Sequence, residues 1–441
     1  MQKTLKSHGT WIGKWTFVLA ATGSAVGLGN IWGFPYKAGT EGGGAFVLIY
    51  LLCIVLIGLP IMLSEILIGR RSGNSPINSM KKSAIDSDVS SAWQGVGWIG
   101  ISAGILILSF YSVIAGICLK YIFVSASSND LDTAGQFLSI VNSPKELMLW
   151  HTIFMGLTMF IVSAEVKKGI GRMVKILMPM LGLLLIFMVL YGIINGAFSE
   201  ALSFLFKPDF TKITSDTFLV AMGQAFFSLS LGMGSIMAYG AYMSKDQNIA
   251  STSVSVGALD TLVAIMAGLA VFPIIFAIQG LEASGGPGLV FISLQTAFNT
   301  MDFGNIIGPI FFILLSVAAL SSSISILEPG VAYLAEEGYL SRTKSAIIIS
   351  ITCWLIGIGT AFGFDQDGNN FFQANVELIS VNIMQPLGGM LIAIFIGWFM
   401  KESLIKDELG DINQAIYQIW RIFIKFVAPI GVGIVLISQL F

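Results

Sequence analysis

Two glycine pairs carry the chemistry of this sequence. Gly27-Leu28-Gly29 lies in the middle of one apolar stretch, and Gly232-Met233-Gly234, within FFSLSLGMGSI, lies at similar depth in another. Glycine lowers helix propensity by about 1 kcal/mol relative to alanine, so each pair marks a break in a membrane helix. A break leaves carbonyl groups free to bind a cation. The half-helix that starts there offers free N–H groups and a partial charge of roughly +0.5, suited to a carboxylate. Paired interruptions in corresponding segments of two halves point to a transport site made of discontinuous helices, able to hold both ends of an amino acid and a metal ion. The competing account is that the glycines only let helices pack closely.

Polar side chains fall at matching depths. Asn30 follows the first break, Ser228 and Ser230 precede the second, Asp260 lies in another apolar stretch, and Ser321, Ser322 and Ser323 in yet another. An aspartate near mid-bilayer costs about 2.5–3.5 kcal/mol on insertion scales. Unless Asp260 belongs to a structural ion pair, it calls for a cation. All the donors named are oxygens, and His8 and His151 alone cannot build a zinc site. A small alkali ion, Na⁺, is the economical choice.

The elements that must position these residues are membrane helices. The 441 residues are 55% hydrophobic and 11% charged, far less charged than a soluble domain. Eleven spans of sufficient length are expected at about 12–38, 43–70, 91–125, 147–165, 170–195, 215–243, 253–279, 305–338, 345–364, 373–400 and 417–440, forming a single all-α transmembrane unit over 1–441. Spans one to five (about 12–195) and six to ten (about 215–400) would be inverted repeats, with 417–440 an extra helix. With the amino terminus inside, 18 of the 23 lysines and arginines are cytoplasmic, Lys3, Lys6, Lys14, Lys167 and Lys168 among them. Only Lys37, Lys120, Lys145, Lys207 and Lys212 remain outside. Eleven spans then put the carboxyl terminus outside, across a cell (plasma) membrane. The segment 280–298 is external, a polar turn followed by a short amphipathic helix that either covers an outward-facing cavity or is a plain surface loop. No A-x-A-like cleavage site follows the first span, which is therefore expected to be retained.

Several function classes fall away. The net charge of −2 and the absence of a basic run give no sign of nucleic acid. Cys53, Cys118 and Cys353 sit singly in separate spans and read as small buried hydrophobes. A channel would show a repeated filter. An intramembrane enzyme would want a second mid-depth aspartate, or a histidine beside the serines.

At these residues the chain resembles the neurotransmitter:sodium symporter family, close to its bacterial amino-acid transporters. The resemblance covers nearly the whole chain and rests on GSAVGLGNIWGFPY (23–36), EGGGAF (41–46), GQAFFSLSLGMG (223–234), YMSKDQ (242–247) and SSSISILEP (321–329), in that order. It implies two sodium sites. The first would use the Ala25 carbonyl, Asn30, Ser228, Asp260 and the substrate carboxylate. The second would use the Gly23, Val26 and Ala318 carbonyls with the Ser321 and Ser322 hydroxyls. Chloride-dependent relatives carry a neutral residue where this chain has Asp260, so the resemblance implies that chloride is not required; Ala264, one turn on, adds no acid.

By the same resemblance, the Tyr111 hydroxyl and the N–H groups near Gly29 would hold the substrate carboxylate, and carbonyls around Ala25, Phe227 and Ser230 its ammonium. The side chain would lie among Ile107, Phe227, Met233, Ser322 and Ile326, with Ser24 at the edge. That apolar pocket suits a hydrophobic or aromatic L-amino acid, about 1.5–3 kcal/mol coming from one buried side chain. The alternative is another small zwitterion, such as a small neutral amino acid. Gly169 and Pro179 resemble a motif whose local unwinding admits water to the second sodium. Glu65 resembles an intramembrane acid that holds the unwound first helix, and Trp11, Glu336 and His8 fall at positions linked to the inner gate. The chain departs from the family at the outer gate. Gly33 stands where an arginine is usual, opposite Glu377, so that ion pair is not expected; Gln224 with Glu377, or an aromatic lid of Tyr111 and Phe227, is left to close the vestibule.

Overall fold

The computed structural model of the protein describes residues 14–127, 131–164, 166, 169–278, 286–338, 340–410 and 412–440. Lys3, Lys6, His8, Trp11, Lys167, Lys168 and the polar turn at 280–285 lie outside the described residues, as does the side chain of Lys14. The chain is all-helical, and among the described residues only a single isolated bridge, Phe364 to Asn370, pairs extended backbone.

Among the described residues, nine helices are long and apolar enough to cross a membrane: Gly44–Ser72, Ser91–Ser127, Pro144–Ser163, Ile170–Asn195, Ile249–Phe276, Gly304–Glu336, Arg342–Phe362, Phe371–Phe399 and Gln414–Gln439. A tenth crossing is the pair Trp15–Ala25 and Gly29–Thr40, bent by 55° at its break. The pair Ser215–Ser228 and Ser235–Gly240 makes the eleventh, each half too short to span alone. A polytopic membrane protein with the expected eleven crossings results, and the expected boundaries hold to within a few residues.

Two long, largely buried helices form the inner scaffold. Gly304–Glu336 packs along Ser91–Ser127, and Arg342–Phe362 packs on Pro144–Ser163. The outer faces of Ile170–Asn195 and Gln414–Gln439 are largely exposed and apolar, as a lipid-facing helix requires. The two broken crossings sit in the interior, where their freed backbone groups find protein partners.

Short helices between the spans complete the fold. Pro76–Asp86 begins at Ser75, whose N–H donates to Glu336 Oε1 at 2.6 Å, so Glu336 joins the eighth span to this short helix. The helix Leu289–Thr300 carries the expected amphipathic segment, and its apolar face is buried: Phe291 stacks on Phe137 and Phe312 and leans on Tyr121. Just before it, the Gly286 carbonyl accepts from Trp32 Nε1 at 2.9 Å. Gly286 and Pro287 line the same cavity as Trp32.

Candidate functional site

The first break is short. Helix Lys14–Ala25 ends, Val26 and Gly27 leave the helix, and the chain resumes from Leu28. The Asn30 side chain turns back over the gap, its Oδ1 accepting from Gly27 N–H at 3.1 Å. Leu28 N–H donates to the Tyr111 hydroxyl oxygen at 3.4 Å. The second break is longer, running over 229–234, with Ser230, Gly232 and Gly234 all at positive φ. Glu65 Oε1 accepts from Gly232 N–H at 2.7 Å. Glu65 therefore caps the sixth span's break rather than holding the first helix, a correction to the expectation. It enters from Gly44–Ser72, which packs closely against Ser235–Gly240.

Between the breaks lies a fully buried polar junction. Asn30 Nδ2 donates to Asp260 Oδ1 at 2.7 Å, to the Asp260 carbonyl at 3.2 Å and to Ser228 Oγ at 3.1 Å. Ser228 Oγ donates to Asp260 Oδ2 at 2.5 Å. Three residues far apart in sequence are thus brought together, one from each broken crossing and one from the seventh span. Tyr50 joins them, its hydroxyl 3.1 Å from Ser228 Oγ. Sequence reasoning missed Tyr50; the signal was a single hydroxyl in the apolar run AFVLIYLLCIVLIG. Among the described residues no basic side chain pairs with Asp260, whose carboxylate is held by Asn30 and Ser228.

A second oxygen cluster lies on the other side of the first break. Ser322 Oγ donates to the carbonyls of Val26 at 3.0 Å and Ser24 at 3.4 Å. Ser321 Oγ donates to Ala318 O at 2.9 Å and reaches Val26 O at 3.4 Å. Gly23 is beside them, since a Cβ there would lie 3.8 Å from Ser321 Cβ. Ser323 points elsewhere, its hydroxyl 2.8 Å from Thr158 Oγ1 of the fourth span, as successive helix positions about 100° apart require.

A small cavity adjoins both clusters. Ala25, Gly27, Leu28 and Gly29 line it from the first break, Phe227, Ser230 and Met233 from the second, and Tyr111, Ser322 and Ile326 from the scaffold. Its free room is about 10 Å³, roughly one water molecule's worth. Phe227 fills much of the rest, since a Cβ on Gly29 would meet its ring at 2.7 Å. Two expected lining residues are not part of it. Ile107 is fully buried in helix packing one turn before Tyr111, and Ser24 presents its carbonyl to Ser230 Oγ at 2.8 Å. Leu28, Gly29, Tyr111 and Phe227 separate this cavity from a larger vestibule of about 300 Å³, whose walls include Trp32, Lys37, Gln224, Gln373 and Glu377.

Further along the eighth span Glu328 is fully buried, taking two hydrogen bonds from Arg342 and one from Tyr242 at 2.6 Å. Arg342 also donates to the carbonyls of Val162 and Ala164 at the end of the fourth span. Gly169 follows shortly after and opens the helix that contains Pro179.

Comparison with known proteins follows the whole length of the chain. The model of the Sodium:neurotransmitter symporter family matches residues 8–132 and 135–441. An uncharacterized sodium-dependent transporter of Bacillus subtilis, YhdH, is 37% identical over 97% of both chains. An uncharacterized sodium-dependent transporter of Haemophilus influenzae is 33% identical over 99% of both. Among solved structures, MhsT in complex with L-phenylalanine superposes with a TM-score of 0.89 at 43% identity, covering 98% of this chain and 100% of that one.

Proposed function

Because the chain belongs to the sodium:neurotransmitter symporter family, whose members are transporters and not enzymes, we propose that it imports a hydrophobic or aromatic L-amino acid together with sodium, by alternating access, across a plasma membrane. The observation that carries this reading is the buried junction of Asn30, Ser228 and Asp260 beside a cavity lined by backbone from both breaks.

Coupling follows from electrostatics. Asp260, Asn30, Ser228 and the Ala25 carbonyl would bind one sodium, which the substrate carboxylate completes. In a site shielded from water, opposite charges attract far more strongly than in solution, so ion and amino acid each favour the other. Asp260 supplies a fixed negative charge there, and transport is accordingly independent of chloride. The carbonyls of Gly23, Val26 and Ala318 with the hydroxyls of Ser321 and Ser322 would bind a second sodium. Those hydroxyls now donate to carbonyls of the same set, so each can rotate and present its oxygen to a cation.

The amino-acid ammonium would take carbonyls around Ala25, Phe227 and Ser230, and the carboxylate the Tyr111 hydroxyl with N–H groups near Gly29. Met233, Ile326 and a displaced Phe227 ring would contact the side chain, methionine adapting readily to an aromatic ring. Two sodium ions entering down a 100 mV potential release about 4.6 kcal/mol. That is over a thousandfold accumulation at about 1.4 kcal/mol per tenfold. In this reading 12–195 and 215–400 act as inverted repeats, the amino terminus is cytoplasmic and the carboxyl terminus outside.

A small neutral amino acid is the second reading, favoured by the narrow free room around Phe227. The bound L-phenylalanine of MhsT supports the larger substrate. Competition by all twenty L-amino acids against labelled L-phenylalanine, on purified protein in sodium, decides between them. Large apolar and aromatic competitors are expected to displace the label at the lowest concentrations. Displacement by glycine or alanine at lower concentrations than by any large apolar or aromatic competitor would overturn the hydrophobic assignment.

A further inference from the structure

The larger vestibule holds two opposite charges that the proposed transport cycle has not used. Lys37 enters from the outer half of the first crossing and Glu377 from the tenth. Both line the same vestibule, and a second acid, Glu41, lies one turn beyond Lys37, its N–H donating to the Lys37 carbonyl at 2.9 Å. Glu41 already accepts from Thr217 Oγ1 at 3.2 Å. Among the described residues, neither Lys37 nor Glu377 forms an ion pair.

Gln224 supplies the third part. Its Nε2 donates to the Gly29 carbonyl at 2.6 Å, which fixes the amide's orientation. Its Oε1 is buried and has no hydrogen-bond partner among the described residues. A buried acceptor left unpaired costs roughly 1–3 kcal/mol. That oxygen lies 3.4 Å from where a Cβ on Gly33 would stand, so position 33 offers it no donor.

Helix geometry points to the next turn. Side chains on a helix lean toward its amino terminus and cover the turn before their own Cα. Lys37 is four residues after Gly33, on the same face of Gly29–Thr40. A stem leaning that way from position 37 is directed back toward the turn that holds Gly33, which faces Gln224. A glycine at 33 leaves that side of the vestibule without a side chain, and Lys37 brings a cation to the same wall.

We propose that Lys37 and Glu377 are the outer gate of this transporter, with the Gln224 oxygen as the second acceptor for the lysine ammonium. Movement of the outer half of the first crossing toward the tenth closes the pair over the vestibule and holds the amino acid beneath Tyr111 and Phe227. The proposal rests on the transport reading above and adds to it the residues that set how long the substrate stays enclosed.

The test is the dissociation rate of labelled L-phenylalanine from the purified full chain in sodium, for wild type, Lys37→Met, Glu377→Gln and the double variant. Each single variant is expected to release the label about five- to tenfold faster. The double variant is expected to release it no faster than the quicker single, because one interaction has been removed twice. Lys37→Gln and Glu377→Asn repeat the cycle should a first-choice variant fail to fold. Single variants that release at the wild-type rate, or effects that multiply in the double variant, overturn the gate while leaving sodium-dependent binding intact. A wild-type protein that binds no amino acid in sodium overturns the gate and the transport reading together.

Discussion

The two breaks carry the same Gly-x-Gly spelling and use it differently. In the first crossing the glycines serve close approach. Neither Gly27 nor Gly29 has positive φ. A Cβ on Gly27 would instead lie 2.3 Å from Ser322 Oγ, and one on Gly29 would meet the Phe227 ring. The helix is lost over only two residues and resumes with a bend. In the sixth crossing the glycines serve conformation. Gly232 and Gly234 sit at φ +73° and +77°, where a side chain is strained, and a Cβ on Gly232 would stand 2.0 Å from the Gln385 carbonyl. The first break is a hinge pressed against the site; the second is an unwound segment clamped from outside by Glu65 and the tenth span. Small size is what the first pair must keep, and backbone freedom is what the second must keep.

Substitutions that treat the pairs alike should therefore give unlike results. The largest effect is expected from Gly232→Ala. Left-handed strain costs about 1–2 kcal/mol, and the backbone clash adds to it. Thermal unfolding in detergent should show a stability loss of at least about 2 kcal/mol, with uptake abolished. A variant with the stability of wild type would remove the distinction between the breaks.

Next in size is Asp260→Asn, which keeps the shape of the junction and removes its charge. A charged hydrogen-bonding group is worth roughly 1.5–3 kcal/mol. Sodium titration of binding should then show a ten- to hundredfold weaker midpoint, with chloride sensitivity gained. An unchanged midpoint would detach Asp260 from the cation.

The smallest effects are expected on the other side of the first break. Gly27→Ala pushes aside the Ser322 hydroxyl, the end of a short side chain, and Ser322→Ala deletes it. Both should weaken sodium binding by about tenfold or less while leaving the unfolding midpoint near wild type. Matching shifts from the two variants would tie Gly27 to the hydroxyl, whereas a large unfolding shift in Gly27→Ala would show that it, too, is needed for backbone shape.

The membrane helices were legible because lipid allows little else: a span must be long, apolar and internally hydrogen-bonded. The breaks were legible for the complementary reason, since glycine pairs and buried polar residues have no place in a smooth span. Asn30, Ser228 and Asp260 could be grouped by depth alone, and the structure brings them into contact. Depth does not fix rotation about the helix axis, which is why Ser323 turns to Thr158 and Ile107 into packing. Long-range partners were also out of reach. Nothing in the local pattern tells Glu65 to cap Gly232 rather than the first break, or the tenth span's Gln385 to press its carbonyl on the same glycine. The short helices Pro76–Asp86, Thr133–Val141 and Leu289–Thr300 read as loops or weak amphipathic segments because they are held by tertiary contact rather than by hydropathy.

The central claim is that both breaks form one site in which a cation and a zwitterion stabilise each other. Its most direct test is the dissociation constant of L-phenylalanine for the purified wild-type protein, measured at low and at high sodium with choline keeping the ionic strength fixed. By linkage, the amino acid must bind more tightly as sodium fills its site. The account predicts at least a tenfold tightening, the same in chloride and in gluconate; a dissociation constant indifferent to sodium would contradict it.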